Sequence, residues 1–326
     1  MFRDTLFRAF VSHAIRLLRP ALVAGCAAGV LAAPVQASAQ DAEAEGGWQL
    51  DPFARVELGV VFSESEDREE DLIINGDGAY LRAQAGVLFG DDNSELRLEA
   101  DRIEVERFGS ATGRDSFNRD RLTAQFTQGL GDDWEIQLRG RLYDDLVTVE
   151  SSDTDELQGS VMLEYEPVQA HRFRLSGTWR DREYDDDEGP GRASSTGEGP
   201  RADFEYRHRL GRYNYINFDL RAEEIDSDNP DRSYTRESVG ASYTQPITRD
   251  LRVRPAIEYR HTRFDGRITP DGEVREDEQV VPEVELLWWT GSWRMEAEAK
   301  YVFSNSNDPV RDREGYRFSV SVGYVF

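Results

Sequence analysis

From residue 53 to the end, the chain alternates apolar and polar residues with a period of two, in run after run. Successive side chains on a strand point to opposite faces, so each run reads as a strand with one apolar and one wet face. In the first run, Ala54, Val56, Leu58, Val60 and Phe62 oppose Arg55, Glu57, Gly59 and Val61. In the fifth, Trp134, Ile136, Leu138, Gly140 and Leu142 oppose Glu135, Gln137, Arg139, Arg141 and Tyr143. The pattern predicts fourteen strands, at 53–63, 78–90, 94–107, 119–129, 133–147, 156–167, 171–183, 201–210, 213–225, 234–246, 250–264, 278–290, 292–303 and 315–326. Each is about the 9–11 residues that a tilted strand needs to cross a bilayer, some with an overhang.

The links between runs sort by parity. Even-to-odd links are tight, as at Gly90–Asn93, Gly131–Asp133, Gly211-Arg212 and Gly291. Odd-to-even links are long and charged: 64–77, 108–118, 148–155, 184–200, 226–233, 265–277 and 304–314. Short turns on one rim and long loops on the other mark an outer-membrane barrel, and a soluble sandwich has no reason to sort its loops this way. Closure follows from the solvent, because an open sheet edge in the bilayer core leaves backbone groups without partners. The expectation is therefore all-β: a single 14-stranded antiparallel transmembrane β-barrel over 53–326, with short periplasmic turns and long acidic extracellular loops. An even strand number sends both termini to the short-turn, periplasmic side of a bacterial outer membrane. Two aromatic girdles fit the two bilayer interfaces. Trp134, Phe173, Tyr243, Trp288, Trp293 and Tyr324 lie near the tight turns, and Phe62, Trp179, Tyr259, Phe303 and Phe318 towards the long loops.

Residues 1–39 follow another rule. Arg3, Arg8, Arg16 and Arg19 precede an apolar stretch from Ala21 to Ala33, and Ala37-Ser38-Ala39 matches the small-x-small cleavage pattern of a secretory signal. Val23-Ala24-Gly25-Cys26 also fits a loose lipobox, but the apolar run continues past Cys26. The domain reading is thus a signal peptide at 1–39, a periplasmic tail at 40–52 and the barrel beyond.

Phe318, Val320, Val322, Tyr324 and Phe326 alternate on one face and end on a terminal Phe. This resembles the C-terminal signal of bacterial outer-membrane β-barrels, and the resemblance implies a barrel-insertion machinery as partner. The segment Ser304-Asn305-Ser306-Asn307-Asp308-Pro309, followed by Gly315 to Phe326, resembles the closing hairpin of β-barrel porins. The barrel half of surface lipoprotein assembly modifiers ends similarly, although this chain lacks the helical repeats that precede that barrel.

Composition gives the barrel its electrical character. The 326-residue chain carries 39 basic and 64 acidic residues, a net charge of −25 that argues against nucleic-acid binding. On the wet face of the predicted strands, 18 basic residues meet 15 acidic ones, so the acidity lies in the loops, notably Glu64–Asp71 and Asp185–Glu188. The signs also segregate. Arg121, Arg139, Arg141, Arg174, Arg180 and Arg182 form a lumen-lining basic wall; Glu283, Glu285, Glu296 and Glu298 form an acidic wall roughly across the ring. Two arrangements fit. The walls could face each other and set up a transverse field that favours polar solutes, or they could close into ladders of ion pairs that fill the lumen. Small residues on strands 10 and 14, among them Ser238, Gly240, Ser242, Ser319 and Ser321, leave space. Fourteen strands lie between the roughly eight that side chains can fill and the 16–18 of water-filled porins.

Catalytic chemistry is not indicated. Beyond the signal segment there are three His, and none has a nucleophile or orienting group nearby in sequence. The acidic runs lack EF-hand spacing, and there is no nucleotide-binding loop. No cofactor and no metal are expected. The sequence points to a monomeric, lipid-embedded channel for passive diffusion of small polar or charged solutes. It leaves open an alternative role as barrel partner of a periplasmic protein in lipoprotein or polysaccharide export.

Overall fold

In the computed structural model, described for residues 48–64, 76–108, 117–151, 153–185, 194–311 and 313–326, the chain forms fourteen strands. They are β1 (Gln49–Ser63), β2 (Gly78–Gly90), β3 (Ser94–Arg107), β4 (Phe117–Gly129), β5 (Trp134–Asp144), β6 (Thr154–Val168) and β7 (His171–Tyr184). They continue as β8 (Thr196–Arg209), β9 (Tyr215–Ser227), β10 (Tyr234–Pro246), β11 (Leu251–Ile268), β12 (Val274–Thr290), β13 (Trp293–Ser306) and β14 (Arg313–Val325). Each strand pairs antiparallel with its sequence neighbours, and β1 pairs with β14, so the sheet is a closed barrel. The seam runs from Arg55↔Val325 to Ser63↔Arg317, and the Phe326 backbone N–H donates to the Ala54 carbonyl at 2.9 Å. The anticipated signal segment, Cys26 and the acidic runs at 65–71 and 186–188 lie outside the described residues.

Several strands are longer than the alternation implies. β1 begins at Gln49, so the last four residues of the anticipated tail pair with β2. At the long-loop rim β8 starts at Thr196, β11 runs to Ile268 and β12 starts at Val274. The cause is that ladder hydrogen bonds need only a neighbouring strand, whereas the apolar outer phase ends where the bilayer ends.

The phase assignment holds through the membrane belt. Leu58, Leu98, Leu138, Val161, Leu175, Trp179, Val239 and Ile257 are exposed on the outer face, while Glu57, Glu99, Asp101 and Arg121 are buried on the inner one. Both girdles are present: Trp134, Trp288 and Trp293 stand exposed near the tight turns, and Phe62, Trp179, Tyr259, Phe303 and Phe318 towards the long loops. On the tight-turn side the outer rings form a ribbon across five strands. Trp134 stacks on Tyr165 at 4.2 Å, Tyr165 on Phe173 at 6.3 Å, Phe173 on Tyr206 at 4.9 Å and Tyr206 on Phe218 at 6.3 Å.

Above the belt, polarity inverts. On β3 the outer residues Arg102 and Glu104 are ion-paired at the surface, while Ile103 and Val105 turn inward and are buried with Val61. On β9 to β11 the inner residues Ile225, Tyr234 and Phe264 form a second buried apolar cluster. Strands that rise out of the bilayer meet water on the outside, and their inner faces pack together as a core.

Candidate functional site: the barrel lumen

The lumen has two zones, set by distance from the tight turns. The long-loop half is packed on the side of β6 to β9. Residues 145–151, between β5 and β6, fold into the barrel: Leu146 and Thr148 are fully buried, and Val149 packs against the Ile225–Tyr234–Phe264 cluster of β9, β10 and β11. The segment holds its own turn, with Thr148 N–H donating to the Ser151 carbonyl at 2.8 Å and Ser151 N–H donating to Thr148 Oγ1 at 3.1 Å. It is also pinned from across the lumen by Arg267, whose Nη2 donates to the Glu150 carbonyl at 3.2 Å.

The Glu150 side chain locks the segment to the wall. Arg182 Nη1 donates to Glu150 Oε1 at 2.5 Å and its Nε donates to Glu156; Tyr184 Oη donates to Glu150 Oε1 at 2.7 Å. The network continues through Tyr234, which accepts from Arg182 at 3.3 Å and donates to Glu223 at 3.3 Å. Arg180 closes it, donating to Glu223 at 3.2 Å and to the Glu224 carbonyl at 3.4 Å. Gly199 makes room for that approach, because a Cβ there would stand 2.0 Å from the Glu224 carbonyl oxygen. Arg180 and Arg182 are wholly out of solvent. Ion pairs of this kind are held only if every charge keeps its partner.

The predicted basic wall is therefore not a single charged surface. Arg121 pairs with Glu99 at 3.1 Å and Asp101 at 3.7 Å, Arg174 with Glu164 at 2.6 Å, Arg180 with Glu223, and Arg182 with Glu150 and Glu156. These four take the ladder arrangement. Arg139 and Arg141 do not: among the described residues neither has a carboxylate within ion-pair distance. Their cross-strand neighbours are Gln125 and Ser160 for Arg139, Thr123 and Gln158 for Arg141, and Arg141 Nη1 donates to Tyr143 Oη at 3.3 Å.

On the acidic side, Glu283, Glu285 and Glu298 place carboxylate oxygens within 4.8 Å of one another. Glu285 pairs with Arg254, Glu298 lies 3.7 Å from Arg317, and Glu296 lies 4.0 Å from Arg55. β5 and β12 are seven strands apart in the ring of fourteen, hence diametrically opposed. Arg139 and Glu285 each lie five residues from the tight-turn end of their strand, and Arg141 and Glu283 seven, so the two groups are level. At this level two arginines stand across the ring from three glutamates, two of which have Arg254 and Arg317 beside them.

The tight-turn half is wet. Arg221 and Glu296 keep 40% and 39% of their side-chain surface, and Arg174 and Arg254 33% each. A cavity of about 420 Å³ opens beside Ser238, Gly240 and Ser242, between Arg221 and Glu283. A larger one, about 850 Å³, lies at the long-loop end beside the crossing segment and includes Glu150, Arg236, Phe264 and Arg275 in its lining. The sequence reading missed Glu150, which stood in a loop, and Arg236, whose strand was read for its small residues. Arg236 shares the inner phase of Ser238, and that was the available signal.

The three histidines among the described residues stay outside the lumen. His171 Nδ1 is 2.8 Å from Tyr206 Oη and its ring stacks on His208 at 4.7 Å, beside the outer aromatic ribbon; His261 lies 3.9 Å from Glu276.

No protein-family model matches this chain, and no curated protein matches it in sequence. Solved structures do match in fold. OmpT with loop L8 deleted, an outer membrane protein of Vibrio cholerae, superposes with a TM-score of 0.51 at 11% identity, covering 86% of this chain and 100% of that one. A bacterial polysaccharide outer membrane secretin gives 0.52 at 9% identity, covering 84% and 98%. The fold is that of bacterial outer-membrane β-barrels.

Proposed function

We propose that this barrel is an outer-membrane channel for passive diffusion of small polar or charged solutes, narrowed by residues 145–151. The observation that carries the proposal is the solvent-accessible, charged lumen of the tight-turn half, with Arg139 and Arg141 level with Glu283, Glu285 and Glu298 across it. Solutes meeting that level pass between fixed charges of opposite sign, which favours polar over apolar cargo. The crossing segment and its Glu150–Arg182 lock set the narrowest point, so the unit conductance is small. We read the chain as a non-catalytic monomer with the tight turns and both termini in the periplasm. The alternation from Phe318 to Phe326 is the mark read by the insertion machinery.

Planar-bilayer recording of the purified full chain tests the reading. Ohmic current steps are expected, larger in Glu150→Gln, which loosens the lock. Silence over many insertions of correctly folded protein refutes the channel. An assembly or export role gives that silence together with a secretion defect on deletion and a co-purifying periplasmic partner.

A further inference from the structure

Most guanidinium groups inside this barrel have a carboxylate, a carbonyl or a ring against them. Arg139 is one exception, and Arg236, on the inner face of β10, is another. It is only 8% exposed and lines the 850 Å³ cavity at the long-loop end, yet among the described residues no carboxylate, carbonyl or hydroxyl is bonded to it. Its cross-strand carboxylate and the buried carboxylates of the same cavity are bonded elsewhere, Glu150 through Oε1 alone, its Oε2 being buried without a hydrogen bond. Glu223, its cross-strand neighbour on β9, accepts from Arg180 at 3.2 Å and from Tyr234 at 3.3 Å. Glu150 accepts from Arg182 and Tyr184, and Asp277 from Arg275 at 3.0 Å and Ser306 at 2.7 Å. The other cavity arginines are held by the protein: Arg267 and Arg275 sandwich the Phe264 ring at 4.1 and 4.7 Å, Arg232 lies over the Tyr184 ring at 4.3 Å, and Arg311 has a partner of its own.

A nearly buried guanidinium without a counter-charge is costly, and the cost is relieved when an anion enters. The surroundings suit one. Thr262 lies directly across from Arg236 on β11, and Gln279 and Ser304 line the same cavity with neutral hydrogen-bonding groups. Of the remaining lining carboxylates, Glu64, Asp231 and Glu314 are exposed and screened by salt, and the half-buried Asp308 accepts from the Val310 N–H at 3.2 Å.

We propose that Arg236 anchors a binding site for small anionic solutes carrying a carboxylate or phosphate group, which it grips with its planar fork of donors while Thr262, Gln279 and Ser304 hold the remaining polar atoms. The proposal deepens the channel reading by naming the solute class, and it rests on that reading for its physiological meaning. The site itself does not require conduction.

Isothermal titration of the purified, detergent-folded full chain tests it, with succinate, inorganic phosphate and, as control, sodium chloride at matched ionic strength. Saturable one-to-one binding of succinate or phosphate is expected, and the stronger of the two identifies the group recognised. Arg236→Gln should weaken it about ten- to a hundredfold, the usual weight of a charged hydrogen-bonded pair. Arg236→Lys, which keeps the charge but not the fork, should fall between and serves if the Gln variant does not fold, as judged by heat-modifiable gel mobility. Arg249→Gln, in the exposed tight turn between β10 and β11, should bind like the parent chain. No binding above the chloride control, unchanged affinity in both Arg236 variants, or equal loss in the Arg249 variant overturns the assignment. Binding without bilayer current would retain the site and reject the channel.

Discussion

The two halves of the lumen use the same residue types to opposite ends. In the long-loop half, Arg180 and Arg182 are fully buried and bonded to Glu223, Glu150 and Glu156, and the crossing segment 145–151 is fastened into that network. In the tight-turn half, Arg174, Arg221 and Arg254 keep a third or more of their side-chain surface, and Ser238, Gly240 and Ser242 leave open volume. Charge composition alone therefore does not tell a plug from a passage. What separates them is whether water reaches the ion pairs. A pair in water is worth little, whereas a dry pair is a structural commitment that cannot lose one member cheaply.

The largest effect is expected where the dry network is broken. Arg182→Met strands Glu150 and Glu156 without their cation and should destabilise the barrel by about 3–5 kcal/mol, read as a lowered midpoint of heat-modifiable mobility in urea. Arg174→Met, in the wet half, should cost no more than about 1 kcal/mol by the same measurement. Equal costs would erase the distinction between the halves.

Both halves depend on one seam. Phe326 ends the outer phase of β14 and bonds through its backbone to Ala54 of β1. Deleting it, or Phe326→Asp, should leave protein in the periplasm in a protease-sensitive form without heat-modifiable mobility. Normal outer-membrane yield would refute the insertion-signal assignment.

Packing gives a contrast of intermediate size. Gly199→Ala must displace the Glu224 carbonyl that Arg180 uses, and should cost about 1–3 kcal/mol. Gly240→Ala faces only ordinary contacts, the nearest atom being 3.8 Å away, and should change stability by less than about 1 kcal/mol.

The subtlest test is electrical. Arg139→Ser/Arg141→Ser should raise cation over anion permeability, and Glu283→Gln/Glu285→Gln/Glu298→Gln should do the reverse. Reversal potentials in a salt gradient read the sign. Both shifts should shrink at 1 M salt, where the screening length is about 3 Å. Shifts in one direction for both variants would mean that these side chains do not flank the conducting path.

Much of this molecule was legible in the chain because a bilayer imposes a simple code. Period-two alternation fixed which residues face lipid, from Leu58 on β1 to Phe318 on β14, and the parity of the links implied an even, closed ring. These are local rules: each residue's face follows from its position in its own strand. The alternation could not mark where strands leave the bilayer, because hydrogen bonding continues at Thr196 and Ile268 after the apolar outer phase has stopped.

Nor could sequence decide which charges are spent. Arg139 and Arg182 look alike on the page, each an inward arginine on an alternating strand. Only the tertiary structure brings Glu150 from the β5–β6 link onto Arg182, and leaves Gln125 and Ser160 beside Arg139. Membrane exposure is set by a strand's own period, but pairing and dryness depend on residues far apart in the chain meeting inside a closed ring. That is why the sequence determined the barrel and its two faces, and only the folded ring decided where the lumen is shut, where it is wet, and which arginines remain to meet a solute.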